Sequence, residues 1–193
     1  PGNRFVCESR LKNMLRHEYG LIIDRLDRND HPTERFFTFA NTVASSTMEN
    51  PHSGHGWVGV RFQTAPDQPT NDVILHVRLH EPDISLQLED VGVMGVHVLF
   101  GCLMHFDNPD QIMEELYDNV SRHVMEIDMI QMNGPAFTQV DNRLLSLQLV
   151  KRGFTDAVLF GPDGQNLQAS DALYKHNILT IRGSFRPVTK VNI

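Results

Sequence analysis

Apolar positions along the chain recur with two periods, and the places where the period changes predict the elements. From residue 8 to 28, Leu11, Met14, Leu15, Ile22 and Leu26 share one helical face, while Arg16, Glu18, Arg25 and Asp27 fall largely elsewhere. That spacing predicts an amphipathic helix packed on a sheet. The breaker cluster NDHP ends it, and the aromatic and β-branched stretch RFFTFANTVA that follows has the profile of a buried strand. Polar residues from Ser45 to Gly56 make a loop. In GWVGVRFQ, Val58, Val60 and Phe62 share one face, and Trp57, Arg61 and Gln63 the other. In VILHVRLH, Val73, Leu75, Val77 and Leu79 alternate with Ile74, His76, Arg78 and His80, the clearest strand in the chain.

The stretch from about Ser85 to Met104 is apolar almost all round (Leu86, Leu88, Val91, Val93, Met94 and Val96 among others). It predicts a helix buried between layers, with Gly92, Gly95 and Gly101 allowing close packing. Asn108 and Pro109 form an N-cap and first helical residue of a short helix reaching about Asn119. VMEIDMIQM then reads as a strand, Asn133-Gly134-Pro135 as a turn, and NRLLSLQLVKR as a helix ended by Gly153. AVLF is a short strand, Gly161-Pro162-Asp163-Gly164 a turn, Ser170 to Lys175 a short helix, and ILTIRG a last strand.

From Val73 onward strands and helices alternate, which implies parallel strands joined by right-handed crossovers. The earlier pair, 57 to 63 and 73 to 80, adds an antiparallel edge. The expected fold is therefore α/β with three layers, a mixed, mostly parallel sheet and helices on both faces, as a single domain over residues 1–193.

Composition narrows the class. Hydrophobic residues make up 40% and charged residues 21%, the balance of an ordinary globular domain. A net charge of −7 offers no clustered basic footprint for a nucleic-acid backbone. Cys7 and Cys102 are the only cysteines, too few and too scattered for a disulfide framework or a cysteine zinc site, so a reducing, cytoplasmic setting is expected. The opening PGNRFVCESR is no signal peptide. With no initiator Met and an abrupt end at VTKVNI, the chain reads as an excerpt of a longer protein, with a neighbouring domain of the parent chain as an expected partner. The apolar run Val91 to Phe106 falls short of the roughly 20 residues of a membrane span and contains His97 and His105, so no membrane association is expected.

Candidate chemistry gathers on the polar face of the two central strands. His76, Arg78 and His80 project to one side, roughly 6–7 Å apart, with Arg61 opposite. Such a patch suits a phosphate or carboxylate, because Arg offers a planar fork of donors and His switches between donor and proton carrier. The commoner fate of such residues is an exposed polar sheet face. His52-Ser53-Gly54-His55 matches an H-x-G-H string, but a strand rather than a helix follows it, and a metal reading of His52 and His55 with His76 or His80 lacks supporting carboxylate spacing. No metal site and no cofactor are assigned. Asn133, in the turn beyond a central strand, is a further ligand candidate, because open α/β sheets bind ligands beyond strand C-termini. Glu126 and Asp128 share one strand face and form a potential acid–base or cation pair, with an outward strand edge as the plainer account. No G-x-S-x-G elbow, Walker-type loop or Cys-His nucleophile is present.

FFTFANTVA, HGWVGVRFQ, NDVILHVRL, GPAF with DNRLLSLQLV, and RGSFRPVT together resemble a family of longer bacterial soluble proteins. Members of that family carry the labels TonB-dependent receptor and nicotinamide-mononucleotide adenylyltransferase. The first label implies an outer-membrane barrel, at odds with the α/β pattern, and the second would rest on His52 to His55. The resemblance assigns no catalytic residue. The sequence thus leads to two expectations. One is an intracellular protein binding a phosphorylated small molecule, a nucleotide first among candidates, through Arg61, His76, Arg78, His80 and Asn133. The other is a non-catalytic interaction or regulatory domain of a larger protein.

Overall fold

The structure, a computed structural model, describes residues 6–26, 30–47, 53–118, 120–173 and 175–183. Four strands, β1 (Phe37–Ala44), β2 (His55–Phe62), β3 (Asn71–Leu79) and β4 (Met125–Asn133), form a sheet in the order β1-β2-β3-β4. Every neighbouring pair is antiparallel. This overturns the expected mostly parallel sheet of a three-layer α/β fold, and the reason lies between β3 and β4. One helix between two strands reverses the chain once and returns the second strand parallel to the first. Here two helices, α2 (Ile84–Met104) and α3 (Pro109–Glu115), intervene and pack on each other. The second reversal delivers the chain to the opposite end of the sheet, so β4 runs antiparallel to β3.

Alternation decides which residues enter which core. Val58, Val60 and Phe62 of β2 and Val73, Leu75, Val77 and Leu79 of β3 point to one side. There they meet Val91, Met94 and Val98 of α2, Ile112 of α3, and Leu145 and Leu149 of α4 (Asn142–Lys151). The opposite side carries Trp57, Ile74 and Met129 beneath Leu11 and Leu15 of α1 (Glu8–Arg25). Helix α1 approaches closely because β2 has a glycine there: a Cβ on Gly59 would stand 2.9 Å from Leu15 Cδ1 and 3.0 Å from Leu11 Cδ2.

Strand β4 changes parity midway. His76 pairs with Met129 and Val77 with Ile127, so Asp128 is the extra residue of a β-bulge. Met125 and Ile127 before it, and Ile130 and Met132 after it, all reach the larger core. Asp128 and Met129 both turn to the α1 side.

The outer edge of β4 is sealed by side chains. Tyr117 Oη accepts from the Ile127 N–H at 3.1 Å and donates to the Met125 carbonyl at 3.0 Å. The Asn142 amide accepts from the Met132 N–H at 2.8 Å and donates to the Met132 carbonyl at 3.1 Å, as a neighbouring strand would. Burial pushes the Tyr117 phenol from its usual 10.0 up to about 12. A raised folded-state value means that the neutral phenol stabilises the fold below pH 10 and that this stability is lost as the pH climbs towards about 12. Over that window the wild type should lose roughly 2–3 kcal/mol more than Tyr117→Phe. The variant should itself start about 1–2 kcal/mol less stable at neutral pH, because the two backbone groups lose their partner. Urea unfolding at several alkaline pH values checks both; equal pH slopes would refute the assignment.

Beyond α4 lie a two-stranded hairpin, β5 (Leu159–Phe160) with β6 (Asn166–Leu167), and a short helix, α5 (Ala169–Leu173). The expected last strand, ILTIRG, pairs with no described strand, and Leu179 is 89% exposed. Apolar β-branched residues favour a strand only where a ladder partner is offered.

The other correction concerns α2. Val91, Met94 and Val98 are buried, but Val96 is 65% exposed, Met104 60% and Phe100 47%. The sheet covers one side of the helix, and no described element covers the other. Gly95 and Gly101 do permit close approach, to Phe39 and Ile112, whereas Gly92 faces open space.

Candidate functional site

The β2–β3 register places His55 opposite Arg78, Trp57 opposite His76, and Arg61 opposite Asp72. Asp72 and His76 are four residues apart along β3, roughly 13 Å at the usual strand rise. The expected cationic patch is therefore divided between two ends of the sheet, with His76, Arg78 and His80 at one and Arg61 and Asn133 at the other. His52 lies outside the described residues.

At the first end every expected cation meets a carboxylate from β4. The His76 ring is buried and donates from Nδ1 to Asp128 Oδ1 at 2.5 Å. His80 Nε2 lies 3.2 Å from Glu126 Oε2, and Arg78 Nη1 3.8 Å from the same oxygen. Thr155 Oγ1 donates to the other oxygen of Glu126 at 2.5 Å. The two β4 carboxylates singled out in the sequence are thus the counter-charges of the histidines and arginine. The bulge makes the first of these contacts possible by turning Asp128 to the α1 side beside His76.

His76 also touches His55. The two rings are joined through His76 Nε2 and His55 Nδ1 at 3.3 Å, and the Trp57 indole lies edge-on to His76 with centroids 4.8 Å apart. Burial holds His55 below the usual imidazole pKa, and the neighbouring His76 pushes it the same way. The charges of Asp171 and Asp128 oppose the shift. The H-x-G-H string singled out His55 for another reason; its partnership with His76 comes from strand register.

At the other end Arg61 is engaged by Asp72 in a two-pronged pair, Nε to Oδ1 at 2.8 Å and Nη2 to Oδ2 at 2.7 Å. Arg61 and Asn133 share a polar groove of about 390 Å³ with Lys12 and Arg16 of α1, Asp72, Gln131 and Gln165. Lys12 pairs with Glu8 and donates to Gln131 Oε1 at 3.3 Å. Arg16 bonds the Lys12 carbonyl and Asn13, and no described carboxylate pairs with it. The turn after Asn133 is a tight strand-to-helix connection leading through a single 3-10 turn, Pro135–Phe137, towards α4. Sequence patterning missed Lys12, Arg16 and Gln131. Their i, i+4 spacing on the polar side of α1 was visible in Lys12 and Arg16, but not what that side would meet.

A third surface is apolar. Phe39 of β1 sits over Gly95 of α2 so closely that a Cβ there would lie 2.5 Å from its ring. This contact seats the edge strand against the covered flank of α2, and on the helix's uncovered side Val93, Val96, Phe100 and Met104 are exposed. No charged residue occurs in β1 or from Val91 to Met104. Helix α2 is long and apolar enough, by length and composition alone, to cross a membrane; here it lies against the sheet. Among the described residues no group of three or more His, Cys, Asp or Glu side chains surrounds one point. No protein-family model, no curated protein and no solved structure matches the chain.

Proposed function

We propose that this chain is a homotypic interaction domain whose working surface is the uncovered side of α2 together with the edge strand β1. The observation that supports this most is the set of exposed apolar side chains on these two neighbouring elements, Phe37 and Phe39 on β1 and Val93, Val96, Phe100 and Met104 on α2, which β1 meets where Phe39 covers Gly95. Contiguous apolar patches of this size mark interaction sites in soluble domains. Phe37, Phe39, Val93, Val96, Phe100 and Met104, all partly exposed, offer roughly 500 Å². Backbone pairing along β1 brings this close to the ~800 Å² per partner of a standard interface.

The partner is a second copy. A twofold axis sets each surface against itself, so a face bearing one sign of charge would repel its mate. This surface carries none, although the whole chain is at −7. Antiparallel β1–β1 pairing would extend the sheet across the axis and bring the two α2 helices side by side. Light scattering of the purified chain should give twice the 22.0 kDa monomer mass, with reversible dissociation on dilution. A monomer at up to about 100 μM, where an association of only roughly −5 kcal/mol is detectable, would refute the reading.

The groove at the opposite face favours a second reading, a binding site for a phosphorylated small molecule. Lys12, Arg16 and Arg61 face a single carboxylate, Asp72, in its lining, and Gln131, Asn133 and Gln165 supply amides suited to a sugar or base. Arg16 is the cation available for a phosphate. Saturating nucleotides or sugar phosphates should raise stability by about 2–3 kcal/mol at a hundredfold excess over the dissociation constant. Arg16→Ala should abolish the rise and Arg78→Ala leave it intact. A thermal-shift panel decides; no stabilisation by any phosphate compound removes this reading.

A further inference from the structure

We propose that the groove between α1, the end of the sheet and the β5–β6 turn takes a sugar monophosphate, with the phosphate at Arg16 and Lys12 and the hydroxyls laid across Gln131, Asn133 and Gln165. This rests on the second reading above, that the groove binds a phosphorylated small molecule, and assigns the chemistry of the rest of that molecule.

The groove continues past Gln131, Asn133 and Gln165. The same three residues line a neighbouring polar hollow of about 280 Å³, whose far end is formed by Asp141, Arg143 and Gly164. The groove of about 390 Å³ and this hollow therefore meet at three carboxamides. Their sizes are near or within the roughly 300–1,000 Å³ of small-molecule sites. Beyond the bulge, Gln131 and Asn133 alternate on the α1 side of β4, opposite Ile74 and Asp72 of β3. Gln165 comes from the hairpin turn, which is held by the Gly161 N–H on the Gln165 carbonyl at 2.8 Å and by the Gln165 N–H on Asp163 Oδ1 at 3.0 Å. At the far end Arg143 grips Asp141 with two hydrogen bonds and lies on Gly164, where a Cβ would stand 3.3 Å from its Nη1.

Charge and lining decide what fits. Lys12 pairs with Glu8 and Arg61 with Asp72, which leaves Arg16 as the spare cation. One guanidinium, helped by the third hydrogen of the Lys12 ammonium, suits a single phosphate monoester and not a di- or triphosphate chain. No aromatic or aliphatic side chain lines either part. A nucleobase binds by stacking on a ring or burying its apolar faces, and this lining offers neither. A sugar needs donors and acceptors side by side. The side chains of Asn133 and Gln165 bond no other described residue, and Gln131 uses only its Oε1, on Lys12. Each carboxamide can present a donor and an acceptor to neighbouring hydroxyls. Asn142, in the same lining, is already spent on the edge of β4.

The test is calorimetric titration of the purified chain with glucose 6-phosphate, mannose 6-phosphate, ribose 5-phosphate, inorganic phosphate and adenosine 5′-monophosphate. At least one sugar phosphate should bind tenfold or more tightly than inorganic phosphate, and the adenosine compound no more tightly than ribose 5-phosphate, since the added base finds no platform. Gln165→Ala, at an exposed turn position, should weaken the preferred sugar phosphate at least tenfold and leave inorganic phosphate unchanged. In the wild type, the side-chain amide signals of Asn133 and Gln165 in 15N spectra should shift with the sugar phosphate and not with phosphate alone. Tenfold tighter binding of the adenosine compound than of ribose 5-phosphate, sugar phosphates no tighter than inorganic phosphate, or amide signals that stay in place would each overturn the sugar assignment and leave the phosphate reading standing. Failure of all five compounds to bind would remove both.

Discussion

Alanine at position 134 is expected to destabilise the fold by about 3–5 kcal/mol, among the largest effects of any single substitution in the chain. Gly134 has φ 121° and ψ 179°, a backbone region that only glycine adopts without strain. A Cβ there would lie 2.8 Å from Asn71 Cα and 2.9 Å from the Thr70 carbonyl oxygen. Both are backbone atoms at the start of a central strand and have nowhere to go. Asn71 is itself buried, and its Oδ1 accepts from the Ala136 N–H at 2.8 Å, so displacing it also unravels the turn that leads from β4 towards α4. The urea midpoint should fall with the slope unchanged. Gly20→Ala is the matched control of opposite sign: a new Cβ meets nothing within 4 Å in the middle of α1, and stability should rise by roughly 0.5–1 kcal/mol. A Gly134→Ala midpoint close to the wild-type value would show that the connection relaxes.

Val96→Asp should abolish self-association while leaving the monomer intact. Val96 is 65% exposed and belongs to the uncovered side of α2, so in the isolated chain the new carboxylate stays in water and changes stability by no more than about 0.5 kcal/mol. Across a twofold the substitution occurs in both copies. Each dimer would have to bury two like charges without partners, at a cost of several kcal/mol, equivalent to at least about a hundredfold weaker association. Light scattering should report monomer at concentrations where the wild type is dimeric, with a thermal midpoint within about 2 °C of the wild type. A variant that still dimerises would move the interface elsewhere.

Local chemistry carried much of the fold. Period-two alternation in β2 and β3 marked Val58, Val60 and Phe62, and Val73 through Leu79, as one core face. Asn108 caps α3 through its side chain, and Gly153 takes a positive φ just past α4, as their residue types suggested. What was not legible depends on contacts between distant segments. One helix or two between β3 and β4 decides parallel or antiparallel, and the break at His105–Asn108 was visible without its topological meaning. A bulge is only half legible: in VMEIDMIQM the alternation changes phase at the adjacent apolar pair Met129-Ile130, but that Asp128 is the residue the ladder skips comes from its pairing with β3. An apolar helix buried all round and one with an uncovered side share the same composition, so the exposure of Val96 and Met104 had to come from the packing. The expected cationic site fared similarly. The residue types were legible, but strand register set Arg61 against Asp72 and His76 beside Asp128. The groove residues Lys12 and Gln131 meet across 119 positions of chain.

The amide and phenol that plug the flank of β4 also set the arithmetic of any assembly built by lateral strand addition. A ribbon that grows at both margins has no natural stopping point. One that grows at a single margin is exhausted once two copies have joined, since each presents only its closed side outward. In the proposed β1-to-β1 pairing the plug would act as a chain terminator: a pair would be the end product, and removal of the plug, rather than a stronger joint, would be the change that opens the way to filaments.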